Sequence, residues 1–361
     1  MAVSAWYATR EMIKSATDGL SSPGLHARID RALEAESRGI DLLCLRPPET
    51  FVPVTATRTF DWPDGAQPFV DRIYLDPYAL ASVTSVTSGG VVIPAADYFL
   101  RPQEGPPYRW LEIDAASDSA LGVGETAQAS MSIAGVWVLG GTDVSAGTLT
   151  AAITTVDATT LSISAAGAAS VGVGSVLLVG AERMLVTGRS LVDSTKDTTA
   201  ALTDSLADTS VPVTSGTSFA VGETIVIDSE RMTIDDTAGN NLIVSRGADR
   251  TAVAAHVTSS YVYVYRTLTV TRGALGSTAA THLNAAAVSL RQVAGPVQQL
   301  CVARVLVSLA GEASAYASLS GGTAPGASSD GGRRPTSGVG LDVLTERVRL
   351  AYGRKMRHRA V

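Results

Sequence analysis

Two short phrases in this chain combine residue types that do acid–base chemistry, and each occurs twice. Glu182-Arg183-Met184 returns as Glu230-Arg231-Met232, 48 residues later. Arg246-Gly247, followed by His256, returns as Arg272-Gly273, followed by His282, at an offset of 26. A carboxylate, a guanidinium and an imidazole are the parts of a general base and its orienting charges. Such a base must reach a nucleophile or an activated water, and no candidate for either is repeated with the phrases. The structural reading is that Glu182 pairs with Arg272 and Glu230 with Arg246 across strands, while His282 and His256 each anchor a loop. A separation beyond about 6 Å, outside ion-pair reach, would sink that reading.

Other chemistry finds less support. Gly172-Val173-Gly174 resembles part of a phosphate loop, but the Gly-Lys-Ser/Thr ending and the following helix are missing. Neither GxSxG nor HExxH occurs, and His26, His256, His282 and His358 contain no metal-spaced pair. Asp235-Asp236 and Asp61 with Asp64 lack the alternating oxygen ligands of a calcium loop. Cys44 and Cys301 read as buried free thiols. The expectation is a chain without catalysis, cofactor or metal.

The remaining chemistry is electrostatic. Residues 1–140 carry 17 acids and 10 bases, and residues 141–293 carry 13 and 9. Residues 345–361 carry Arg347, Arg349, Arg354, Lys355, Arg357 and Arg359 against Glu346 alone. An acidic chain with a basic end points to a partner. Phosphates would take such a cluster, but only Tyr352 interleaves with it, so base stacking is not expected. Docking on an acidic protein surface is favoured over bulk DNA contact or a plain solvated helix end.

The elements that must hold these residues read as α+β. A first helix, capped by Ser4 or Thr9, runs toward Thr17. A second carries an apolar stripe over Leu25, Ile29, Leu33, Ile40 and Leu43 and ends before Pro47-Pro48. Thr55–Phe60, Val70–Leu75, Ala81–Thr87, Val91–Ile93, Tyr98–Leu100, Tyr108–Ile113 and Thr126–Leu139 read as strands of a small antiparallel sheet packed on helices. Helices return at Val297–Leu319 and from Leu341, separated by a Gly/Ser/Pro loop over 321–340. No apolar run approaches the ~18 residues of a membrane span, and no secretory leader is expected.

Between these parts the texture changes. The chain has 361 residues and only 5% aromatics, with all four tryptophans (Trp6, Trp62, Trp110, Trp137) outside 141–293. That middle region is rich in Thr, Ser, Ala, Gly and Val. The repeated phrases run front, front, back, back, with unequal offsets, which excludes a tandem array. Nesting explains the order. An outer β module of 141–198 and 265–293 holds an inner module of 199–264, each a small barrel or sandwich, and the body is 1–140 with 294–361.

The body's order of elements resembles the head-to-tail connector, or adaptor, proteins of tailed bacteriophages. The resemblance rests on Tyr7-Ala8-Thr9, Thr57-Arg58-Thr59-Phe60, Ile73-Tyr74-Leu75-Asp76, Asp97-Tyr98-Phe99-Leu100, Leu111-Glu112-Ile113 and Met131 to Trp137, closed by two C-terminal helices. The insert resembles β modules of structural proteins from phages of actinobacteria. The resemblance implies a virion protein at the head–tail junction, made in the host cytoplasm. It implies a homo-oligomeric ring, typically of 12 copies, between portal and neck or tail-completion proteins, with double-stranded DNA passing through without sequence recognition. The C-terminal cations would then meet the portal. The insert, too large for the bore, would project outward, and replacing it by a short Gly/Ser linker would still permit assembly. A virion decoration or cell-surface carbohydrate-binding protein is the alternative, with Tyr261, Tyr263, Tyr265 and Phe219 as the insert's aromatics. Alternating tyrosines also suit one face of a strand.

Overall fold

The computed structural model describes residues 4–17, 23–62, 71–319 and 337–354. It is a mixed α+β structure with five helices and antiparallel sheets among these residues. Helix α1 (Arg10–Ala16) starts at Thr9, whose hydroxyl accepts the Met12 amide at 3.3 Å, so Thr9 and not Ser4 is the cap. Helix α2 spans Pro23–Leu43, and its Glu36, which interrupts the apolar stripe, pairs with Arg304 at 3.2 Å.

Seven strands follow: β1 (Val54–Phe60), β2 (Arg72–Tyr74), β3 (Leu80–Ser88), β4 (Val91–Ile93), β5 (Tyr98–Arg101), β6 (Trp110–Ile113) and β7 (Met131–Trp137). They form two sheets, β1-β7-β3-β4 and β2-β6-β5, where the sequence suggested one sheet packed on helices. The reason lies in period-2 alternation. Met131, Ile133 and Trp137 of β7 point to one side, where Ile73, Leu111 and Ile113 of the smaller sheet meet them in a shared core. The helices therefore build a separate core from Ile13, Ile29, Leu33, Ile40, Phe51, Val297, Leu300, Val305 and Val348. Its last members come from α4 (Gly295–Leu319) and α5 (Ser337–Tyr352). Residues 321–336 of the Gly/Ser/Pro segment lie outside the described residues.

The middle region supplies β8 (Thr142–Thr148), β9 (Thr160–Ser162), the short helix α3 (Ala165–Ser170), β10 (Val176–Val179) and β11 (Glu182–Asp197). It continues with β12 (Ser210–Pro212), β13 (Thr224–Ile227), β14 (Glu230–Ala238), β15 (Asn241–Ser245), β16 (Tyr261–Thr271) and β17 (Ala287–Gln292). They join in one sheet ordered β12-β15-β14-β13-β16-β11-β10-β17-β8, with β9 added beside β16. The long strands β11 and β16 pair along most of their length, through three irregularities in register. One core lies at one end of this ribbon, from Ala146, Ile163, Leu177, Met184, Val186, Leu268, Val270 and Val288. The other lies at the far end, from Leu202, Val211, Ile225, Met232, Ile234, Val244, Val262 and Val264.

The sheet is also fastened to the body. Val176 and Leu185 lie opposite each other in register and both enter the helical core. Their neighbours Leu177 and Met184, also opposite, enter the β core instead. Strand alternation thus makes this one sheet a wall of two cores.

Candidate functional site

The twice-repeated phrases converge on two copies of one buried arrangement. Glu182 opens β11 and Glu230 opens β14, each the first residue after a tight turn. Both carboxylates are fully buried. Arg272 grips Glu182 at 2.7 and 2.8 Å, and Arg246 grips Glu230 at 3.0 and 2.6 Å, in the two-pronged geometry that suits guanidinium and carboxylate. His282 Nε2 lies 2.8 Å from Glu182, and His256 Nε2 lies 3.0 Å from Glu230. The amides of Gly273 and Ala280 complete the first carboxylate, at 3.0 and 3.1 Å. Those of Gly247 and Ala254 complete the second, at 3.2 and 3.1 Å.

The arginines spend their remaining donors on backbone carbonyls. Arg272 reaches Ala158 and Ala280, and Arg246 reaches Thr203, Ser205 and Ala254. The result is a clamp. One ion pair ties the start of a strand, the turn after another strand and two loops into a unit. Gly247 and Gly273 sit at the turns in left-handed conformation, φ 67° and 58°. Arg183 and Arg231 stand outside the clamps. Their amides donate to Ser277 and Thr251, and their side chains pair with Asp143 and Asp249, both at 3.1 Å. Met184 and Met232 are wholly buried core residues.

Burial by itself pushes both glutamates up. Arg272, His282 and the Ala280 and Gly273 amides more than offset this and hold Glu182 at about 2. Arg246, the Ala254 amide and His256 do the same for Glu230, also to about 2. Both oxygens of each carboxylate are taken up by these donors, so the arrangement ties the strands and loops around it together. Sequence reasoning missed one member. Asp228 lies 2.7 Å from His256 Nδ1, whereas Gly180 occupies the corresponding place beside His282.

These values set an acid limit. A carboxyl lowered from 4.5 in the unfolded chain to about 2 when folded stabilises fully above 4.5, and that gain is lost as pH falls through about 2. Each clamp contributes up to about 3 kcal/mol this way. Asp41 acts in the opposite sense. Burial raises it to about 6 despite the Tyr7 hydroxyl, Arg38 and two amides around it, so its contribution is present below about 4 and fades as pH rises through 6. Urea unfolding at a series of pH values is expected to show maximal stability between about pH 4.5 and 6, with a steep loss below 4. Stability that stays level from pH 5 to pH 2.5 would contradict the clamps.

A second group of residues carries the joint between body and insert. Gly172 and Gly174, the phosphate-loop fragment of the sequence, face protein here. Val173 N donates to Glu11 at 2.7 Å and its carbonyl accepts the Arg10 amide at 3.0 Å. A Cβ on Gly174 would overlap the Trp6 ring, so close approach accounts for glycine there. Lys14 meets Asp249 at 2.5 Å, and Gly276 presses on the Thr55 carbonyl. A cavity of about 250 Å³ remains between Trp6, Met12, Val144, Val176 and Leu290. The Arg291 guanidinium in its wall is engaged by Asp143 and the Gly140 carbonyl.

The third group is the C-terminal helix. Phe51 packs edge-on between Tyr7 and Tyr352, with centroids 5.3 and 5.4 Å away. The Arg354 amide donates to the Cys44 carbonyl at 2.9 Å. Arg347, Arg349 and Arg354 are exposed, and Arg349 forms a two-pronged pair with Glu346 on the helix surface. Lys355, Arg357 and Arg359 lie outside the described residues. Cys44 and Cys301 are buried free thiols, each raised to about 11 by burial. Among the described residues, no three His, Cys, Asp or Glu side chains gather as a metal site, and no helix is long and apolar enough to cross a membrane.

No protein-family model, curated protein or solved structure matches the chain.

Proposed function

We propose that the chain is a structural virion protein, a head-to-tail adaptor that assembles as a ring between portal and neck. Its insert consists of an outer β module (141–198, 265–293) and an inner module (199–264) nested within it. The observation that supports this most is the division of charge. The buried Glu, Arg and His side chains that repeat are consumed in two clamps, as befits a scaffold. The exposed cations Arg347, Arg349 and Arg354 stand at the end of the helical layer, where the chain leads on to Lys355, Arg357 and Arg359. The separate cores at the two ends of the β11–β16 ribbon support the nested reading. DNA passing through the ring needs no base-reading side chains, and the insert lies on the outside of the ring.

The test is a chain ending at Arg354. Cutting after Leu350 would also remove Tyr352 from Phe51 and the Arg354 amide from Cys44, so it would confuse docking with folding. The chain ending at Arg354 keeps both contacts. It is expected to melt like the full chain yet fail to co-sediment with purified portal rings. Unchanged co-sedimentation would overturn the portal-docking role.

A further inference from the structure

Helix α5 has a packed side and an open side. Leu341, Leu344, Val348 and Tyr352 enter the helical core. Val343, Arg347 and Leu350 recur at i, i+4 and i+7, which places them together on the opposite face, while Arg354 lies past the helix end. Val343 is 62% exposed and Leu350 65%. Arg347 and Arg354 are exposed and pair with no carboxylate among the described residues. Single exposed apolar residues are ordinary, but two in line with the cation Arg347 form a stripe with the composition of a contact surface.

A second exposed apolar surface, with one carboxylate beside it, lies at the other end of the body. The β3–β4 turn exposes Val91 (69%) and Val92 (65%) on the last strand of its sheet. Ser88 Oγ bridges to the Gly122 amide and carbonyl at 2.8 and 2.9 Å, which fixes the following loop beside that turn and presents Val123 and Glu125 there. Strand β7 measures the separation. Met131 pairs with Ser88 at the turn, while Trp137 pairs with Leu80 and leads to Gly140, which lies against Tyr352. Six residue steps at about 3.4 Å make roughly 20 Å along the strand. The two surfaces therefore cannot meet within one copy.

We propose that the Val343–Arg347–Leu350 stripe of one copy docks on the Val91–Val92–Val123–Glu125 tip of the next. A second copy is the occupant these surfaces specify. Both are apolar at the centre, Arg347 of one and Glu125 of the other are exposed and of opposite charge, and the surfaces stand about 20 Å apart along the body, as a head-to-tail contact requires. Such a contact closes into a ring when its rotation divides a full turn. The inference rests on the reading of the protein as a ring of like copies, and it leaves Arg349, Arg354 and the residues past it for the portal.

Sedimentation velocity of the full chain over a range of concentrations tests it. The unmodified chain is expected to self-associate. Leu350→Asp, Arg347→Glu and Glu125→Arg are each expected to weaken association about tenfold or more, with unchanged melting because all three side chains are exposed. Combining Arg347→Glu with Glu125→Arg is expected to recover association. A chain that self-associates while Leu350→Asp and Arg347→Glu have no effect overturns this contact and leaves the ring reading standing. Single variants that disrupt without recovery in the double variant overturn the pairing of these two surfaces. A chain that stays monomeric at every concentration overturns the ring reading and this contact together.

Discussion

Replacing Glu230 by alanine is expected to destabilise the chain by about 3–5 kcal/mol, the range observed when one partner of a buried ion pair is removed. The side chain of Arg246 would remain without exposure and without its counter-charge. The Gly247 and Ala254 amides would lose their acceptor and His256 Nε2 its partner as well. Against a total stability of roughly 5–15 kcal/mol, that loss decides whether the strands around Met232 and Val244 stay folded. Removing both charges is a different perturbation. Glu230→Leu with Arg246→Met leaves no buried charge unpaired, so the double variant is expected to be clearly more stable than Glu230→Ala. Chemical denaturation measures both, and hydrogen exchange locates the damage. Protection is expected to fall first in β13, β14 and β15, because the Glu230 clamp ties β14 to the loops around Ser205 and Ala254. Equal and small losses in all variants would mean that the clamp is incidental to folding.

The clamps were legible because their chemistry is local in phrase and duplicated in order. Four residue types recur in register twice, and a carboxylate buried at a strand start leaves few ways to satisfy it. Asp228 was not legible. It belongs to one copy alone, and repetition cannot point to a residue that is not repeated. The helices and most strands of the body follow from periodicity, but the number of sheets does not. Alternation in β7 shows that one face is buried and not whether helices or a second sheet cover it. The joint was hidden for the same reason. In Val176-Leu177-Leu178-Val179 every residue is apolar, so nothing in the strand says that Val176 enters the helical core while Leu177 enters the β core. Gly172 and Gly174 look like a fragment of a loop that binds phosphate. Their small size answers instead to Thr9, Glu11 and Trp6, some 160 residues earlier in the chain.

That joint argues against the expectation drawn from the sequence, that exchanging residues 141–293 for a short Gly/Ser linker still permits assembly. The exchange would strip Val176 and Leu185 from the helical core, each only 3% exposed, at about 1.5–3 kcal/mol apiece. It would also free Glu11 from the Val173 amide, remove the carbonyl that accepts from Arg10 and uncover Trp6. The expected result is a body that melts far below the full chain or is recovered only as aggregate. A smaller excision should behave differently. Asp193 and Tyr263 are partners in neighbouring antiparallel strands, so residues 194–262 can be replaced by a two-residue Asn-Gly turn that closes β11 onto β16 as a hairpin. This removes the core around Met232 and Val244, the Glu230 clamp and the Lys14–Asp249 pair. It keeps the Glu182 clamp, the core around Met184 and Val270, and both residues that enter the helical core. The shortened chain is expected to lose stability modestly, to retain β structure by circular dichroism and to keep the acid limit set by Glu182. If the shortened chain fails to fold, the far end of the ribbon supports the near end. If the full exchange folds well, Val176 and Leu185 rest on the helical core without sustaining it.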